Sequence, residues 1–196
     1  MNFRIQCAFA ALIGIFFAVT THAEQIISAN FQQTKILQAM GVRLESSGNV
    51  RISPHFGLLW KQEKPFESTL ILNNSKMSSQ VGSEKPVISQ LSALEQVQLS
   101  LPQLLGYILQ NDVHSLSEYF AWSKKTDADN QTILDLTPRN ATFQRLFRSI
   151  RVVKTDPFIK MIRLTDNAGD ITKIVFSHST IETKHDDEAR NEFFIP

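Results

Sequence analysis

The chain of 196 residues has a single cysteine, Cys7. If the first 23 residues are removed, no thiol remains for a disulfide, a Cys-ligated metal or a Cys nucleophile. An exported domain without disulfides depends on its own apolar core. Excess charge is also lacking, with 20 Lys and Arg against 19 Asp and Glu. That balance removes the overall electrostatic case for nucleic acid or an anionic membrane surface, and no nucleic acid is expected as a partner. Hydroxyl-bearing aromatics are scarce, at two Tyr against 14 Phe, so the aromatic set supplies apolar area with few polar handles. There is no G-x-S-x-G, no G-x-G-x-x-G and no phosphate loop. No repeat, low-complexity run or Pro/Gly-rich linker divides the chain.

What is present begins with a leader. Arg4 precedes the apolar run Cys7 to Val19, which is too short to span a bilayer comfortably. Thr21 to Ala23 then ends in the small-residue pattern of a cleavage site. The segment reads as a secretory signal peptide cut after Ala23; the alternative is an uncleaved anchor. Cys7 lies at the start of the run and not at the cut, so a lipid-modified N-terminus is not expected. Residues 24–196 are expected to form one domain.

The first half of that domain reads as strands. Leu44, Ser46, Gly48, Val50 and Ile52 alternate with Glu45, Ser47, Asn49 and Arg51, a period of two. Ser53 to Gly57 is a turn, after which Phe56, Leu58 and Trp60 are expected to continue the same apolar face. Lys64-Pro65 is a break, Ser68 to Asn73 a strand, and Asn73-Asn74 a tight turn into Lys76 to Val81. Ala29 and Phe31 suit a first strand or the end of a short helix from Glu24. The middle is mixed: Glu95 to Leu101 fits either a strand or a helical stripe. Pro102 to Asp112 predicts a helix with Leu104, Leu105, Ile108 and Leu109 on one face, and Ser115 to Phe120 a short helix. The last third predicts a hairpin with its tip at Thr126 to Asn130, a short helix around Phe143, and three strands, the last two joined at Asp166 to Gly169. The C-terminal stretch from Lys184 is a loose tail or a docking segment. Many strands on short turns imply antiparallel pairing, and few helices imply an α+β fold: one curved antiparallel sheet with helices on one face.

Chemistry-bearing constellations are weak. His55, His114, His178 and His185 show no helical metal spacing, so no metal and no cofactor is expected. The acidic loops at Thr126 to Asn130 and Thr165 to Asp170 lack the ligand pattern of a calcium loop and read as hairpin turns. Ser46 and Gly48 are small for an apolar face. They mark either a hollow beneath it or a β-bulge and close strand approach at Gly48.

Residues Ala29 to Met77 resemble the opening of the LolA family of periplasmic lipoprotein carriers. The likeness is carried by Phe31-Gln32-Gln33, by Gly48, Val50, Ile52 and Pro54 in a strand and turn, and by Phe56, Trp60 and Pro65 in order. A P-x-x-L-L helix, "LDLTPR" and a final hairpin follow in outline. The resemblance implies an incomplete β-barrel covered by helices, with an apolar cavity that takes up acyl chains. It implies a lining drawn from Phe31, Leu44, Val50, Ile52, Phe56, Leu58, Trp60, Leu70, Leu72, Leu105 and Ile108. The family has Arg before the Pro, where it helps hold the helical lid closed; here the position is Ser53, and Arg51 on the same face is the candidate substitute. The function implied is a non-enzymatic periplasmic carrier, a monomer, sheltering acyl chains of lipoproteins or other lipids. Its partners would be an inner-membrane donor transporter and an outer-membrane acceptor. The competing readings are a lipid-modifying enzyme or hydrolase on the same half-barrel, and an interaction module with a filled core.

Overall fold

A computed structural model describes residues 23–53, 55–73, 76–90, 108, 116–117, 119–139 and 141–196. The leader, the stretch expected to be strand or helix at 95–101, and all of the helix expected at 102–112 except Ile108 lie outside the described residues. No helix of the described chain is long and apolar enough to cross a membrane.

The period-two segments form strands as their patterning requires. β1 (Ala23–Leu37), β2 (Val42–Ser53), β3 (Gly57–Lys64), β4 (Ser68–Leu72), β5 (Lys76–Val81) and β6 (Val87–Gln90) follow one another as an antiparallel meander. A second meander runs through β7 (Phe120–Thr126), β8 (Thr132–Pro138), β9 (Ser149–Thr155), β10 (Phe158–Thr165) and β11 (Ile171–His185). The two 15-residue strands β1 and β11 pair along nearly their full length and fuse the meanders. The result is one sheet in the order β6-β5-β4-β3-β2-β1-β11-β10-β9-β8-β7. It is not closed: β6 and β7 are its edges. Among the described residues two short helices are complete, α1 (Ala141–Leu146) between β8 and β9, and α2 (Asp186–Glu192) after β11.

Ala29 and Phe31 therefore belong to a strand, and the tail is a docking segment. The hairpin tips fall where turn chemistry put them. Asp166 Oδ1 accepts the amide of Asp170 at 2.9 Å, and Asp127 Oδ1 accepts that of Gln131 at 2.8 Å.

Each face of the sheet has its own apolar cluster. The larger gathers Phe31, Val50, Ile52, Leu58 and Leu72 from the first meander with Phe120, Leu136, Ile150, Val152, Ile162 and Ile174 from the second, and Phe143 of α1 packs onto it. This is the inner face. The smaller lies on the outer face, where α2 and the residues after it seat Ala189 and Phe193 against Ile26 and Leu59. β11 crosses between parities at a bulge: His178 has φ 52°, and the register with β1 slips between Ser28 and Asn30. Phe176 before the bulge and Ile181 after it therefore share the inner side, paired with Phe31 and Ile27.

Candidate functional site

The sequence-predicted lining residues separate into those the fold assembles and those it does not. Phe31, Val50, Ile52, Leu58, Leu72 and Ile108 all enter the inner cluster, each nearly inaccessible to solvent. Trp60 is half-buried against them, and its cross-strand partners are Val50 on β2 and Leu70 on β4. The Phe31 and Trp60 rings meet with centroids 4.0 Å apart and planes tilted by 30°. They approach across β2 beside Gly48, which faces Phe31 in the register and has no side chain to separate the rings. Leu44 pairs with Lys35 at the far end of β2 and remains 50% exposed. Leu105 lies outside the described residues.

Phe56 departs from the expected alternation. It packs on the outer face with Ile26, Leu59 and Phe193, and the Arg190 guanidinium lies 5.6 Å from its ring centre. The reason is Gly57, whose φ of 122° turns the chain between Phe56 and Leu58 so that the two no longer share a face. A Cβ at Gly57 would also stand 2.0 Å from the Leu72 carbonyl oxygen.

Gly48 resolves the question of the small residues. The β2–β3 register shifts between Ser47 and Gly48, and a Cβ on Gly48 would lie 1.9 Å from the Lys61 carbonyl oxygen. Glycine is there because β3 backbone occupies the place of a side chain, the bulge reading. Ser46 beside it is half-buried, with its hydroxyl enclosed and unpaired in the described structure.

What stands over the inner face is partly visible. Ile108 and Leu116, from the connection between edge strands β6 and β7, are buried in the inner cluster. Tyr119 joins them, its ring 5.5 Å from Phe143 in an edge-on contact. Phe143 in turn lies 5.0 Å from Phe120. Ile108, Leu116, Tyr119 and Phe143 thus pack against the inner apolar face.

Arg51 and Ser53 sit on the outer face. Arg51 donates to Glu192 of α2 at 2.8 Å and to Glu182 of β11 at 3.1 Å, and Lys184 also contacts Glu192. Lys76 reaches the carbonyl of Pro196 at 2.8 Å. These charge-assisted bonds fasten the C-terminal segment over the outer cluster. Ser53 is fully buried and donates to Glu24 at 2.6 Å, while its oxygen accepts the amides of His55 and Phe56. Glu24 also contacts His55 Nδ1 at 2.7 Å. Burial by itself would push the Glu24 carboxyl up. The hydrogen bonds from Ser53 and His55, with the neighbouring imidazole charge, outweigh that and hold it below the ordinary carboxylate range. This Glu-Ser-His grouping is a turn clasp: the Ser53 hydroxyl is spent on a carboxylate and two amides, not aimed at a substrate space. Sequence reading missed Glu24, which meets Ser53 through the β1–β2 pairing, and the acidic partners of Arg51, which reach it only because β11 pairs on the far side of β1.

The sequence profile of the family described as outer membrane lipoprotein carrier protein LolA matches residues 23–189. The chain belongs to the LolA family. Among curated relatives, the outer-membrane lipoprotein carrier protein of Pseudomonas entomophila is 27% identical over 154 residues, 78% of this chain and 70% of the relative. That of Pseudomonas putida GB-1 is equally similar over the same shares. Of solved structures, a DUF1329 family protein from Desulfovibrio piger aligns at a TM-score of 0.42 with 11% identity, over 83% of this chain and 86% of that one. A LolA superfamily protein from Nitrosomonas europaea aligns at 0.38 with 8% identity, over 86% and 90%.

Proposed function

We propose that this LolA-family chain is a periplasmic carrier that shelters acyl chains of lipoproteins or other lipids on their way to the outer membrane, acting as a monomer from Glu24 onward once the leader is removed. The supporting observation is the inner face: a continuous apolar surface from both meanders, centred on the Phe31–Trp60 pair and Val50. Its capping residues come from a connection between the two edges of a sheet that does not close. Displacing Ile108, Leu116 and Tyr119 from that face would leave the ladder of the sheet intact.

The energetics suit the task. Transfer of a sixteen-carbon chain from water gains roughly 10 kcal/mol gross at about 0.8 kcal/mol per methylene. Ordering the tail and displacing Ile108, Leu116 and Tyr119 from the inner face subtract from that, which leaves binding that a membrane acceptor can reverse. Donor and acceptor are accordingly an inner-membrane transporter and an outer-membrane receptor, and no covalent step is required of the protein.

The test is uptake of a fluorescent palmitoyl probe by the mature chain. Trp60→Ala and Leu58→Ala are expected to weaken uptake at least tenfold, the loss of about 1.4 kcal/mol or more. Phe56→Ala, on the outer face, should leave it unchanged. Equal uptake by all three variants would refute the assignment of the inner face.

A further inference from the structure

The exposed large hydrophobic side chains are not scattered. Five turns lie at one end of the sheet, those joining β1 to β2, β3 to β4, β5 to β6, β8 to β9 through α1, and β10 to β11. Met40, Val42 and Leu44 sit on the first of these, Met40 being 67% exposed. Leu146 is exposed on α1, and Phe66, Val81 and Val87 continue the series along β3 to β6. The opposite end, where α2 docks, covers Ile26, Leu59, Ala189 and Phe193 and leaves Ile181 and Phe194 exposed. Single exposed hydrophobics need no explanation, but their concentration along one edge does.

The edge is also a connected structure. The Gln38 amide donates to Asp170 Oδ1 at 2.8 Å, tying the β1–β2 turn to the β10–β11 turn. Asn167 Nδ2 donates to the Gln144 carbonyl, and the Arg148 amide to Thr165 at 2.7 Å, tying that turn to α1. Basic residues flank the apolar ones: Lys35 and Arg43 on one side, Arg139, Arg145 and Arg148 on the other. Residues 139–149 contain no acid. Around Met40, Val42 and Leu146 the acids are Glu45, paired with Arg43, and Asp166 and Asp170, whose carboxylates accept turn amides; Glu63, Glu67 and Glu84 lie further along, towards β3 to β6.

The geometry points to a bilayer-docking rim. Met40, Val42 and Leu146 enter the headgroup and upper acyl region of an anionic phospholipid surface, and Arg43, Arg145 and Arg148 lie on its phosphates. Four to eight basic residues beside apolar side chains are the composition that anionic bilayers attract. The side chains project from separate turns and form no pocket, which fits a surface better than a bound segment. Docking the rim would bring the inner face to the membrane that supplies or receives acyl chains.

Flotation with vesicles of phosphatidylethanolamine and phosphatidylglycerol tests it, with phosphatidylcholine vesicles as reference. The mature chain is expected to float with the anionic vesicles and to be released as salt rises. Met40→Ser with Val42→Ser should lower binding about tenfold. Arg43→Gln with Arg145→Gln and Arg148→Gln should abolish the preference for phosphatidylglycerol. Both variants should keep the melting temperature and palmitoyl-probe uptake of the parent. Failure of the parent to float would overturn the proposal and assign the rim to a soluble partner; floating of the serine variant equal to the parent would overturn it as well. Vesicle binding without probe uptake would instead refute the carrier reading and leave the rim standing.

Discussion

Gly48→Ala separates two roles for one residue. If Gly48 served only to leave room on the inner face, a methyl there would trim acyl uptake and leave stability nearly intact. The structure predicts the reverse. The alanine Cβ would lie 1.9 Å from the Lys61 carbonyl oxygen and 2.9 Å from the Gln62 Cα, where ordinary contact begins at 3.4 Å. Both obstacles are backbone, so no rotamer change relieves them. β2 and β3 would have to part locally by about 1.5 Å, which moves a ladder hydrogen bond from about 2.9 Å out of range. Losing two or three such bonds beneath a buried face costs about 1.5 kcal/mol each, or roughly 3–5 kcal/mol in all. For a chain of this size that is a melting temperature lower by about 10–15 °C. Urea unfolding of the mature chain, followed by circular dichroism, measures it. A Gly48→Ala variant within about 1 kcal/mol of the parent would refute the bulge argument.

Further outcomes follow from other parts of the fold. Phe193→Ala should cost about 3–5 kcal/mol by unseating the C-terminal segment from Ile26 and Leu59; hydrogen exchange should then show faster amides in α2 ahead of the rest of the sheet. Because the Glu24 carboxyl titrates lower folded than unfolded, its contribution to stability is present above about pH 4.5 and is lost as pH falls through the folded value. Glu24→Gln should flatten the stability profile in that acid window, seen as urea midpoints against pH. Lys173 faces Arg163 across β10 and β11, and Arg163 faces Arg151, whose partner is Asp135. Lys173→Glu should therefore stabilise the chain by about 0.5 kcal/mol, read from the denaturation midpoint.

Much of the strand pattern was legible because it is local. Val50 and Ile52 on β2, Leu58 on β3, and the Asp-rich hairpin tips declare themselves by alternation and turn chemistry. Phe56 did not, because one positive φ at Gly57 reverses the face without altering the residue pattern. β11 hid its sidedness for the same kind of reason, at the His178 bulge. The long-range pairings were beyond reach. Arg51 finds Glu192 141 positions away only because β1 lies between β2 and β11, and Glu24 finds His55 only once β1 and β2 pair. No local signal encodes that neighbourhood. Gly48 stood undecided in the sequence, since a glycine in a strand fits a hollow and a bulge equally well until the neighbouring backbone is seen. The rim could not be read either, as its members come from five turns distant in the chain and brought level by the register.

The account turns on where a hydrocarbon tail rests. A palmitoylated peptide with a photoreactive group at the end of its acyl chain, irradiated with the mature protein and mapped by peptide mass spectrometry, measures this directly. Crosslinks are predicted on inner-face strands at residues such as Val50, Trp60 and Ile162, and not on Ile26, Phe56 or Leu59. Crosslinks confined to the outer face, or none above the level of an unlipidated peptide, would contradict it.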